Sequence, residues 1–211
     1  MARKSNEKIQ RKLPYKLYYF ICEDAKSMQN YIDGFRNQYN NQNVVIKSEK
    51  AKKGNDAKSV QKSALDKADE IEQQAIYGGG FKVIACFDKD NNKIEDISEI
   101  ISKNEKSEVM ATIYNNPCYE YWLLLHIKPT AQGFTSSEQC CRETMKEINT
   151  HYNQNFVDLD KFKSAENIFN IVGDDLPKAI KNAKSLKLKD YNSTYTNAHI
   201  IFEKLIDEAN K

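Results

Sequence analysis

The sequence predicts an α/β fold, with a mainly parallel sheet flanked by helices and an all-helical C-terminal extension. Three observations carry this expectation. Residues 15–22 and 82–88 are short, nearly unbroken apolar runs, as strands buried on both faces are. Between and after them, apolar residues recur at spacings of three and four, so strands alternate with helices. Late in the chain only the helical spacing persists, which divides it into an α/β core over 15–127 and a helical extension over 128–211, read together as a single domain.

Each element has its own local reason. Residues 1–14 carry Arg3, Lys4, Lys8, Arg11 and Lys12 with few apolar groups, and read as a basic flexible arm ending at Pro14. Met1 to Lys8 is basic but no apolar h-region follows it, so it does not read as a secretory signal. The run at 15–22 ends on Glu23-Asp24, and Ser27 reads as the cap of a helix through Tyr31, Ile32 and Phe35. Val44-Val45-Ile46 is a short strand, followed by a basic loop with Lys50, Lys52, Lys53 and Gly54. Asp56 or Ser59 opens a long helix through Val60, Ala64, Ala68, Ile71 and Ile76. Gly78-Gly79-Gly80 stops it before the strand at 82–88.

A helix over 94–101 and a strand over 108–114 complete the alternating region. Asn116 and Pro117 suit a cap and a first helical position, opening an almost wholly apolar helix to Leu125. In the extension, helices are expected from Ser136 or Ser137 to about Tyr152, from Asp160 to Gly173, and from Asp175 to Leu188. The last carries Lys178, Lys181, Lys184, Lys187 and Lys189, either a solvated face or a polyanion surface. Residues 192–196 read as a polar turn, and a final helix runs through Ala198, Ile201, Phe202, Leu205 and Ile206.

Composition excludes some classes. The 211 residues include 32 basic and 30 acidic side chains, a balance that selects no partner by itself. No apolar run approaches the length of a membrane span. Five cysteines without framework spacing fit a reduced, cytoplasmic protein.

The chemistry gathers at strand ends. In Asp88-Lys89-Asp90, alternate residues of an extended chain face one way, so both aspartates address one site. Ligands of open α/β sheets bind outside the carboxyl ends of the strands. Glu23 closes the first strand in the same manner. If the two strands are neighbours, three carboxylates converge, and a hard divalent cation relieves their repulsion. Aspartate and asparagine also favour plain solvated turns, so the pattern alone leaves that alternative open. Glu120 is an acid inside an apolar helix, and needs an ion pair or a metal. His126 lies six residues further on, off the face of Glu120, and reads first as a helix-end residue.

Three stretches resemble the RloB family of phage-defence and restriction-associated proteins: Tyr19-Phe20-Ile21-Cys22-Glu23, Phe87-Asp88-Lys89-Asp90, and Asn116-Pro117-Cys118-Tyr119-Glu120-Tyr121-Trp122-Leu123-Leu124-Leu125-His126. The segment Asn192-Ser193-Thr194 with His199 is similar to that family's closing motif, with Ser193 where proline is usual. The resemblance implies a TOPRIM-like sheet and an Mg²⁺ (or Mn²⁺) site at Glu23, Asp88 and Asp90. It also implies an ATPase partner from the same operon. Glu120 and His126 match the family's own motif. The first motif departs from the family pattern, with Asp24, Ser27 and Met28 standing where glycine, threonine and a second acid are usual.

The expected function is a divalent-metal-dependent nuclease acting on DNA or RNA in antiphage defence. Glu23, Asp88, Asp90 and Glu120 are its candidate catalytic residues. Lys26, Lys52, Lys53, Lys89 and His126, with Lys47, Lys50 and the basic arm, are candidate contacts to the nucleic acid. The alternatives are a non-catalytic binding or regulatory subunit of an ATPase-containing defence system, and a nucleotide-processing enzyme.

Overall fold

A computed structural model describes residues 15–52, 54–74, 78–186 and 190–211. The basic arm, Lys53, the expected helix end at Ile76, and Lys187, Leu188 and Lys189 lie outside the described residues.

Among the described residues, five strands form one sheet in the order β2-β1-β3-β4-β5. They are β1 (Lys16–Cys22), β2 (Val44–Lys50), β3 (Phe81–Asp88), β4 (Met110–Asn116) and β5 (Tyr195–Thr196). The first four run parallel, linked by α1 (Ser27–Tyr39), α2 (Ala57–Gln74) and α3 (Ile94–Glu105). β5 joins antiparallel to β4 at the sheet edge.

The period-two pleat divides the apolar residues between two layers. Leu17, Ile21, Val83, Ala85 and Phe87 face one core with residues of α2 and α3. Tyr18, Phe20, Cys22, Ile84 and Cys86 face the other, which contains α1 and most of the C-terminal helices. That second layer holds α4 (Glu120–Leu125), α5 (Ser137–His151), α6 (Leu159–Lys163), α7 (Ile168–Val172), α8 (Leu176–Ser185) and α9 (Ala198–Ala209). Trp122 of α4 stacks on Phe202 of α9 at 5.6 Å between centroids, and Phe20 of β1 stacks on the same ring. Each such buried side chain contributes about 1.5–3 kcal/mol of transfer free energy. The extension thus shares its core with the sheet.

α1 and α7 approach closely because Gly34 has no side chain; a Cβ there would sit 2.4 Å from the Cβ of Phe169. Asp56 accepts the Ser59 N–H at the start of α2, and Ser136 caps α5 through Gln139 N–H, as their spacing predicts.

Several expectations need correction. The extension is not wholly helical, since β5 replaces part of the turn at 192–196. Asn197 explains how so short a strand holds. Its side-chain oxygen accepts the Tyr114 N–H and its amide donates to the Thr112 carbonyl, so it continues the β4 ladder. α4 starts at Glu120 rather than Pro117, and the Asn116-Pro117 bond is cis. The helix expected from Asp160 to Gly173 is two short helices, the first capped by Asp158. β2 runs on through Lys50, because Ile21 and Cys22 of β1 continue the pairing. Ser27 does not cap α1; its hydroxyl turns to Glu120.

Candidate functional site

The site is fixed by the register of the sheet. Cys22 lies beside Cys86, and the Glu23 N–H donates to the Cys86 carbonyl, so β1 and β3 end side by side. Their carboxyl ends open into a cleft of about 100 Å³ lined by Glu23, Asp88, Asp90, Glu120, Ser27 and Lys163, with Cys118 and Met28 among its walls.

Each acid is held differently. Glu23 Oε2 accepts the Asp88 N–H at 2.9 Å. Asp88, the last residue of β3, accepts from Asn115 Nδ2 at 2.9 Å and from the Tyr119 N–H at 3.1 Å. Asn115 is fully buried and accepts the Thr196 hydroxyl at 2.7 Å, so β5 orients the amide that orients Asp88. Asp90 reaches the cleft through a turn rather than by the strand pleat. Its φ is 31°, in the left-handed region that aspartate tolerates, and Ser137 Oγ donates to it at 3.2 Å. Glu120 is 3% exposed, and its Oε1 accepts the Ser27 hydroxyl at 2.6 Å.

The cleft is short of positive charge. Burial is the first cause that pushes the Glu23 carboxyl up to about 7, opposed by the Asp88 N–H and aided by the charges of Asp90 and Asp24. The nearness of Asp90 thus favours the protonated form of Glu23. Burial, then Glu23 and Glu120, drive Asp88 well above the ordinary carboxylate range, with Asn115 opposing. Among the described residues that line the cleft, the cation is Lys163 of α6, half-buried, its pKa raised by Glu120 and Cys141 against the cost of burial.

The donor set at this end is all oxygen. The carboxylates of Glu23, Asp88 and Asp90 are not among the three-residue groups whose donor atoms all fall within 4.8 Å. A hard cation such as Mg²⁺ takes one or two carboxylates and keeps several waters, so an open arrangement fits it.

The remaining sequence candidates divide. Lys26 and Lys52 are exposed, and Lys52 follows β2 at the same carboxyl end of the sheet as Glu23. Lys89 is partly buried with its ammonium on the Asn92 carbonyl. Lys53 lies outside the described residues. His126 is corrected as a nucleic-acid contact: it is fully buried, with Nδ1 at 3.0 Å from the Trp122 carbonyl and Nε2 at 2.9 Å from the Tyr31 hydroxyl. A carbonyl only accepts, so Nδ1 carries the proton and Nε2 accepts from Tyr31. Burial lowers its pKa to about 4, which keeps the ring neutral.

Sequence reasoning missed Lys163, Asn115 and Thr196. Each lies far along the chain from the residue it serves, and no local spacing marks it. Thr194 and His199 of the closing motif do not line the cleft.

The family model described as RloB-like protein matches residues 18–205, most of the chain. No curated protein and no solved structure matches.

Proposed function

The chain belongs to the RloB-like family, and we propose that it is a divalent-metal-dependent phosphodiesterase acting on DNA or RNA. The carrying observation is the convergence of Glu23, Asp88 and Asp90 in one cleft at the carboxyl ends of adjacent parallel strands. Asp88 and Glu23 would hold Mg²⁺ or Mn²⁺, with Asp90 beside them. When bound, such an ion stabilises charge on the phosphate and lowers the pKa of a coordinated water. Alternatively to ligating the ion, Glu23 would act as the base that takes a proton from an attacking water. Asn115, through Thr196, holds Asp88 in orientation. Lys163 balances charge on the helical side of the cleft.

Lys26, Lys50 and Lys52 are exposed near the carboxyl ends of β1 and β2, where a phosphate backbone would pass. Among the described residues, no helix is long and apolar enough to cross a membrane, and all five cysteines are free thiols. The free thiols fit a reducing cytoplasm, and the role in antiphage defence beside an operon-encoded ATPase rests on the family resemblance alone.

One observation favours a second reading. Met28 lines the cleft where the family pattern has a second acid, and this removes a carboxylate from the site. A binding or regulatory subunit without chemistry would tolerate that loss.

The test is cleavage of single- and double-stranded DNA and RNA with Mg²⁺ or Mn²⁺, by the wild type and by Asp88→Asn. Metal-dependent cleavage that the variant loses supports the first reading. Polynucleotide binding without cleavage, and without metal uptake in calorimetry, supports the second.

A further inference from the structure

The cleft has a second, chemically different end. Cys118 and Cys141 are buried with their sulfurs 3.6 Å apart, and Glu120 reaches the same point. The Sγ atoms of both cysteines and a Glu120 oxygen all lie within 4.8 Å of one another. We propose that Cys118, Glu120 and Cys141 form a binding site for a soft divalent cation of the Zn²⁺ class, distinct from the all-oxygen end at Glu23 and Asp88.

The spacing suits the ion. Zn–S bonds of about 2.3 Å at a tetrahedral angle place two sulfurs about 3.8 Å apart, close to the separation observed. A disulfide would need about 2.05 Å, and all five cysteines are free. Glu120 contributes an oxygen because the Ser27 hydroxyl engages Oε1 and leaves Oε2. Three protein ligands leave a fourth position, and the cleft, which Cys118 and Glu120 both line, supplies the entry path and a water for it. Sulfur donors prefer Zn²⁺ over Mg²⁺, whereas carboxylates and water suit Mg²⁺, so the two ends select different ions.

Lys163 is the natural competitor. It lines the same cleft as Cys118 and Glu120, and the nearby Glu120 and Cys141 raise its pKa. As the cation enters, both thiols release their protons to solvent, two S–metal bonds form, and the protonated Lys163 swings into the cleft. Glu120 is then drawn away from the oxygen-lined end, so occupancy of one end bears on the other.

The experiment titrates Co²⁺, a spectroscopic substitute for Zn²⁺, into the full chain kept reduced by a phosphine. The readout is thiolate-to-cobalt charge-transfer absorption. A band saturating at one Co²⁺ per chain, displaced by Zn²⁺, retained in Asp88→Asn and lost in Cys141→Ser, is expected. Retention in Asp88→Asn separates this site from the phosphodiesterase centre, so either proposal can fail alone. Lys163→Met removes the competing cation and tightens binding at least several-fold, a gain that misfolding does not produce. No band at millimolar Co²⁺, a band unaltered in Cys141→Ser, or unchanged affinity in Lys163→Met overturns the assignment.

Discussion

Replacing Glu23 by glutamine stabilises the metal-free protein at neutral and alkaline pH. The wild-type carboxyl titrates near 7 in the folded chain against 4.5 for the unperturbed group. Between those values the folded state holds a proton that the unfolded state has released, so stability falls as pH rises through this window. At about 1.36 kcal/mol per pH unit, the full difference corresponds to about 3.4 kcal/mol. Glu23 is partly open to water, and screening reduces the effect to about 1–2 kcal/mol.

Glutamine keeps an oxygen to accept the Asp88 N–H and carries no charge, so it escapes the penalty. The two proteins should have equal pH dependence below about pH 4.5, diverge up to about pH 7, and remain separated above it. For a chain of this length the gap is about 2–8 °C in Tm. Thermal melts by circular dichroism in a chelator-containing buffer measure it. Equal melting at alkaline pH, or a variant less stable than the wild type there, refutes the argument that the site concentrates uncompensated charge.

Four further outcomes follow from particular contacts. His126 is neutral and buried with its pKa lowered to about 4, so its contribution is complete above about pH 6.5 and is lost as pH falls through the window toward 4; nitrogen-15 NMR of the ring should show an Nδ1–H tautomer throughout neutral pH. Gly34→Ala places a Cβ against Phe169 and should cost about 1–3 kcal/mol in urea denaturation, through overpacking between α1 and α7. Thr196→Val leaves Asn115 Oδ1 without its donor, which costs about 1–3 kcal/mol and, if Asp88 needs that support, lowers cleavage with it. Ser27→Ala removes the hydroxyl from buried Glu120 and costs about 1.5–3 kcal/mol, measured by the same melts.

The α/β class and most element positions were legible because they rest on local pattern. The buried run of β3 reads as a strand from its residues alone, and α2 reads as a helix from its three–four spacing and the Asp56 cap. Glu23 and Asp88 were legible as strand-end acids, but only the register of β1 against β3 brings them into one cleft. What escaped depends on contacts across the chain. β5 is two residues long and exists because Asn197 and Thr196 bind β4. Lys163 enters the cleft from a five-residue helix whose neighbour is set by packing of the extension, not by any motif. Ser27 has the sequence of a cap, yet burial of Glu120 makes the carboxylate a stronger claimant on its hydroxyl than the helix terminus.

The most direct measurement is a crystal soaked in Mn²⁺ and recorded at the manganese absorption edge. An anomalous peak within coordination distance of both Glu23 and Asp88, absent from Asp88→Asn crystals, is the expected result. A cleft without manganese, or an ion held away from either residue, would contradict the shared cation site.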